Sequence, residues 1–243
     1  MRPLLQVPLL ALSGLGVLHA SLVTDLYLRY VKEGMRPLLI ASGVLLLLLA
    51  AAETVSFWRV GRDDGSGEAD DHTTVPRVAW LLLFPALSLL FYAPPALGAY
   101  TAAREPSRAV KEQDHFDPLP ATSPVPLTLT EFTGRVRQDR EQGIKGRSVV
   151  MTGFVTPGPD GDGWYLTRLM LNCCAADAQS VKVRIHGAPD LPADTWVTVT
   201  GTWHSDGTLG TASAAVALDA RSVTKVTRPV NAYQDALPLP TTR

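Results

Sequence analysis

The chain has only two cysteines in 243 residues, and they are neighbours, Cys173 and Cys174, within "LNCCAADAQ". Two cysteines exclude a disulfide framework. A bridge between neighbours would close almost no loop and so would barely constrain the unfolded chain. A basic run is also missing: 22 Lys and Arg stand against 23 Asp and Glu, with no patch of interleaved basic and aromatic residues. Nucleic-acid binding is therefore excluded as an expectation, since phosphate neutralisation needs concentrated positive charge. Catalytic signatures are absent too. The sequence contains no C-x-x-C, no G-x-S-x-G, no phosphate loop and no H-E-x-x-H, so no enzyme site is expected.

Long apolar runs are present, and all of them lie before about Gly98. Three segments, 3–23, 38–58 and 78–98, each have the ~20 residues that cross a hydrocarbon core. "VLLLLLAAA" in the second is apolar on all sides, which suits neither a half-exposed helix nor a strand. Trp58, Trp80 and Tyr100 flank the spans as interfacial aromatics do. The expected organisation is a membrane domain over 1–100, a Pro-rich linker over 101–126, a β domain over 127–230 and a tail over 231–243. Lys and Arg near the span ends favour the first loop (Arg29, Lys32, Arg36) and the β domain on the cytoplasmic side of the cell membrane. His19 and Glu53 are the ionisable residues inside spans, and such residues are functional candidates by default. Small residues cluster in two spans (Ser13, Gly14, Gly16; Ala41, Ser42, Gly43), where helices can approach closely.

The linker suggests a short helix around Ser107 to Gln113. Next, Thr128 with Glu131 fits a capping box, Phe132 and Val136 share a helical face, and Gly143 and Gly146 are expected to end that helix. Five short β segments follow. "SVKVRIHG" alternates cleanly, with Val181, Val183 and Ile185 on one face and Lys182, Arg184 and His186 on the other. Gly153 and Gly201 inside strands suit strong curvature. The fold class is α+β: three transmembrane helices followed by a small OB-like five-stranded barrel with a preceding helix.

Three amino-terminal spans, a polar loop before the third, and "CCAADA" (Cys173 to Ala178) within a β domain resemble the YcgQ-like permease-subunit family. The resemblance implies a larger multi-pass permease as partner. It implies nothing about the solute.

On an undistorted strand Cys173 and Cys174 would point to opposite faces. "NCCAADA" leaves strand composition abruptly, so a turn there would redirect one thiol, and Asp177 would join a cluster or cap a helical turn. His186 and His204, on neighbouring strand ends, would complete a site with Cys173, Cys174 and Asp177. Such ligands select a soft metal or metalloid ion such as Cu(I) or Zn(II). Burial of a thiol as a small hydrophobe and a redox role, including a vicinal disulfide, stay open beside this reading. The leading expectation is a membrane-anchored accessory subunit of a two-component permease, embedded in the lipid bilayer, whose β domain regulates or delivers substrate. A metal-binding module and a membrane-bound thiol oxidoreductase are the alternatives.

Overall fold

The computed structural model describes residues 3–24, 26–60, 96–105, 107, 110–159, 163–229 and 232–237. The chain divides into two compact units, Met1–Ala96 and Leu97–Arg243.

In the first unit, α1 (Pro3–Leu18) continues into a π-helical turn, His19–Val23. Two 3-10 turns, Leu26–Arg29 and Glu33–Met35, lead into α2 (Arg36–Val60). Leu9, Leu12, Leu15, Leu38, Leu45 and Leu48 are all exposed on this helix pair. By length and composition, Gln6–Val23 and Glu33–Ser56 are two candidate membrane spans. The third expected span, 78–98, lies outside the described residues apart from its last three positions.

The small residues set the approach of the two helices. A Cβ on Gly14 would sit 2.9 Å from the Gly43 carbonyl oxygen and 3.0 Å from Leu47, and one on Gly43 would sit 2.8 Å from Leu18. These contacts make α1 and α2 antiparallel. Arg36 ties the turn between them, its Nε donating to the Ser21 carbonyl at 2.9 Å beside the Tyr27 ring.

The second unit contains α3 (Ala99–Arg104), β1 (Val125–Pro126), α4 (Leu129–Gln138), β2 (Ser148–Pro157), β3 (Trp164–Met170), β4 (Gln179–His186), β5 (Trp196–Trp203) and β6 (Ala217–Lys225). Helix α4 begins as its sequence dictates, with the Thr128 hydroxyl accepting from the Glu131 N–H at 3.1 Å. Phe132 and Val136 are fully buried on its inner face. The helix stops at Gln138, before Gly143 and Gly146, because Asp139 takes an extended backbone and accepts from the Glu141 and Gly143 N–H groups.

The strands form one six-stranded sheet in the order β1-β2-β3-β4-β6-β5, with β2 also paired to β5. Two features correct the expected five-stranded barrel. The two-residue β1 adds a parallel strand beside β2. The parallel seam between β4 and β6 has only three residue pairs, Arg184↔Ala217 to His186↔Asp219, too short a ladder to close a regular barrel. Curvature falls at the expected glycines. A Cβ on Gly153 would meet the Thr167 carbonyl at 2.7 Å, and Gly201 sits at a bulge against the Asp219 backbone. Val149, Met151, Val155, Leu166, Val181, Val183, Ile185, Val197 and Val199 line the core beneath α4.

The segment read as a linker is packed on this unit. Buried Arg135 of α4 donates from Nη2 to the Asp117 carbonyl at 2.7 Å, pairs with Glu131, and lies over the Phe116 ring. Residues 110–113 are not helical, and the helix in this region is α3, earlier in the chain. Ala99 and Ala102 of α3 are buried against Phe154 and Leu169. The segment read as a tail is also engaged, since the Asp235 carboxylate accepts from the Leu129 and Thr130 N–H groups at the start of α4. Arg168 is almost fully buried. Its Nε donates to the Thr152 carbonyl and its Nη2 to the Ala236 carbonyl, while its Nη1 has no hydrogen-bond partner among the described residues. Burial lowers its pKa, and the Asp235 charge opposes that shift.

Candidate functional site

The two cysteines lie just past the end of β3, where the chain turns back into β4. The turn is a short 3-10 segment, Ala175–Asp177, and Asp177 organises it. One carboxylate accepts three successive backbone N–H groups: Cys173 at 2.7 Å, Asn172 at 3.0 Å and Cys174 at 3.4 Å. This gathers the backbone so that consecutive side chains no longer diverge as on a strand. The Cys173 and Cys174 Sγ atoms stand 3.6 Å apart, on the same side. Both are free thiols; Cys173 is exposed and Cys174 half-buried.

The charge on Asp177 governs the chemistry of the pair. Its hydrogen bond to the Cys173 thiol, followed by the thiol of Cys174, pushes Cys173 up to about 11. The reverse effect holds Asp177 below the usual carboxylate range, first through the Cys173 side chain and then through the backbone N–H groups. Cys173 is therefore a neutral thiol at physiological pH. A redox nucleophile needs the opposite, a depressed pKa that supplies thiolate.

The five-residue ligand set expected from the sequence is divided in two. Met170 pairs with Gln179 at the cysteine end of the β3–β4 hairpin, and Trp164 pairs with Ile185 at the other. His186 lies seven residues along β4 from Gln179, roughly 23 Å at strand rise. There it stacks on His204, with ring centroids 4.2 Å apart. The His204 Nδ1 lies 2.7 Å from Asp219 Oδ1. The structure brings together Cys173, Cys174 and Asp177 at one end, and His186 with His204 at the other. Among the described residues, no group of three His, Cys, Asp or Glu is arranged to hold a metal ion.

The intramembrane candidates are likewise apart. His19 is exposed at the start of the π-turn, and Glu53 is half-buried on α2. In the antiparallel pair Leu18 meets Gly43, so Glu53 lies some ten residues further along α2, on the order of 15 Å away.

Sequence reasoning missed a second group of residues. The alternation of β4 places Lys182 and Arg184 with His186 on the face opposite Val181, Val183 and Ile185, and assigns that face no role. Lys182 and Arg184 line a concave wall with Tyr165, Thr156, His186 and His204. The signal was present as three basic or imidazole side chains at alternate positions of "KVRIH". Its meaning depends on what lies across the sheet.

Residues 133–234 match the DUF1980 C-terminal domain family. The matched region contains β2 to β6, both cysteines, Asp177 and both histidines of the β domain. No curated protein matches the chain.

Proposed function

We propose that this chain is the membrane-anchored accessory subunit of a two-component permease, and that its β domain presents Cys173 and Cys174 as a dithiol receptor for a thiophilic metalloid. The observation that carries the reading is the thiol pair 3.6 Å apart, Cys173 exposed and Cys174 half-buried, on a turn held by Asp177. With metal–sulfur bonds of about 2.3 Å, that separation subtends an angle of roughly 100° at a bound atom. Linear two-coordinate Cu(I) needs a wider span, and a tetrahedral zinc site needs more ligands than gather here. A pyramidal trivalent metalloid fits the angle and takes its third ligand from solvent on the exposed side.

Protonation favours the same class. Trivalent arsenic arrives as a neutral hydroxide. Two of its hydroxides leave as water, carrying the two thiol protons, while two As–S bonds form. No net proton is released, so a thiol held at about 11 does not oppose this exchange as it would oppose a divalent cation. The raised value also removes support from the thiol-oxidoreductase reading.

The resemblance to YcgQ-like permease subunits supports a multi-pass membrane partner, and the exposed apolar α1–α2 pair supports an anchor in the cell membrane. In this reading residues 78–98 supply a third span, the sheet serves as an OB-like scaffold, and the β domain faces the cytoplasm. The test uses the full chain in mild detergent, purified anaerobically. Trivalent arsenic should protect both thiols together at one atom per chain, and Cys173→Ser or Cys174→Ser should each abolish it. Retention of full protection by either single variant sinks the dithiol reading. Failure to co-purify with any multi-pass protein sinks the subunit reading.

A further inference from the structure

A cavity of about 1100 Å³ lies on the outer face of the β domain, and neither cysteine nor Asp177 is among its lining residues. Its floor is a single row across the sheet. Thr156 pairs with Tyr165, Tyr165 with Arg184, and Arg184 with Ala217. All four residues line the cavity. Two positions either side of Arg184 on β4, on the same face, are Lys182 and His186, and His204 stacks on His186. Helix α3 adds Arg104 to the wall and α4 adds Arg137.

We propose that this cavity binds the phosphate group of a phosphomonoester. Among the described residues its lining holds four basic side chains, Arg104, Arg137, Lys182 and Arg184, and two carboxylates, Asp194 and Asp206. Asp194 is already engaged, its Oδ1 accepting from the Ala99 N–H at 2.6 Å. Basic side chains gathered in a concave wall, on a chain whose charges balance overall, focus the field on an incoming anion. It matches a phosphomonoester, which carries about −1.5 to −2 at neutral pH.

The donors are varied and come from different elements. Arg184 lies over the Tyr165 ring, and a guanidinium is the group whose planar donors suit phosphate oxygens. Lys182 gives one N–H to the Glu105 carbonyl at 3.0 Å and has two more. His204 uses Nδ1 toward Asp219, which leaves Nε2. Thr156 is 1% exposed, and its Oγ1 has no hydrogen-bond partner among the described residues. A buried hydroxyl without a partner is a cost that a ligand oxygen relieves. The volume exceeds a bare phosphate, and Tyr165, Pro157 and Val216 give an organic body apolar surface to rest on.

The same group occurs on soluble phosphorylated molecules and on phosphatidic acid, so the test has an arm for each. The full chain in neutral detergent is titrated calorimetrically with inorganic phosphate, with water-soluble dihexanoyl phosphatidic acid, and with dihexanoyl phosphatidylcholine as the diester control. Saturable phosphate binding is expected, weakened about tenfold or more by Arg184→Gln and by Lys182→Gln. Thr156→Val keeps the side-chain shape, guards against a misfolded charge variant, and should weaken binding several-fold. Tighter binding of phosphatidic acid than of phosphate assigns a lipid headgroup; equal or weaker binding assigns a soluble ligand. Absence of saturable phosphate binding overturns the proposal, as does unchanged binding in the Arg184→Gln, Lys182→Gln double variant. Cys173→Ser should leave phosphate binding intact, so the failure of the dithiol reading and the failure of this one are separable.

Discussion

Asp177→Asn should convert Cys173 from a resting thiol into a reactive one. The asparagine oxygen can keep the Asn172 and Cys174 N–H groups that Oδ1 accepts, the Cys173 N–H held by Oδ2 loses its acceptor, and the negative charge that opposes thiolate formation is gone. With Cys173 at about 11, roughly 0.03% of it is thiolate at pH 7.5; near the ordinary value of about 8.5 the figure is roughly 10%. That is a gain of about 300-fold in thiolate. A thiolate of lower pKa is also a weaker nucleophile, with a Brønsted slope of about 0.4–0.5, which takes back roughly 10- to 20-fold. The net ceiling is about 15- to 30-fold, and since Cys174 contributes part of the shift, a gain on the order of 10-fold is expected. The assay is the rate of exchange with an aromatic disulfide at pH 7.5, in a Cys174→Ser background so that one thiol reports. Cys173 is exposed, so access does not limit the rate. An unchanged or slower rate in Asp177→Asn refutes the electrostatic account of the turn. The pH dependence has a definite sign. The raised Cys173 contributes stability below about pH 8.5 that is lost as pH rises through about 11. The lowered Asp177 contributes stability above about pH 4 that is lost as pH falls. Hydrogen exchange at the Asn172 and Cys173 amides should therefore be slowest, relative to the intrinsic rate, between these limits.

Arg135→Met should destabilise the β domain by about 3 kcal/mol, because it leaves buried Asp139 and the Asp117 carbonyl without their partner; chemical denaturation measures the loss, and a change under about 1 kcal/mol contradicts the role assigned to Arg135. Gly201→Ala should cost about 1–3 kcal/mol by forcing a Cβ against the Asp219 backbone at the bulge, read as a lowered Tm with the secondary structure retained. Gly14→Val should loosen the α1–α2 pair in micelles, whereas Gly16→Val should not, since a Cβ at Gly16 meets nothing within 4 Å; equal effects of the two variants contradict the packing.

Local patterns carried much of the fold. The Thr128 cap, the Phe132 and Val136 face, the alternation of β4 and the close helix approach at Gly14 and Gly43 all follow from spacing within a few residues. Helix α3 was not legible, because six residues cannot hold a helix alone; Ala99 and Ala102 are helical only with Phe154 and Leu169 beneath them. The division of the five candidate ligands into two groups was hidden for a related reason. His186 and Cys173 are 13 positions apart in the sequence, but the Met170↔Gln179 register puts them at opposite ends of one hairpin. The cavity floor needed three registers at once before Thr156 and Arg184 became neighbours in a row.

The carboxylate that finishes α4 also bears on the order of folding. Asp235 reaches the Leu129 and Thr130 N–H groups across 106 and 105 residues of chain. Thr128 can start the helix early from its own neighbourhood, but the second cap must wait until the sheet between has found its registers. Closing so long a loop costs entropy before the contact repays it, which places this clasp on the late side of the folding barrier. Weakening Asp235 should therefore leave the rate of folding almost untouched and hasten unfolding instead, so that the strand of chain around it acts as a latch on lifetime rather than a guide to assembly.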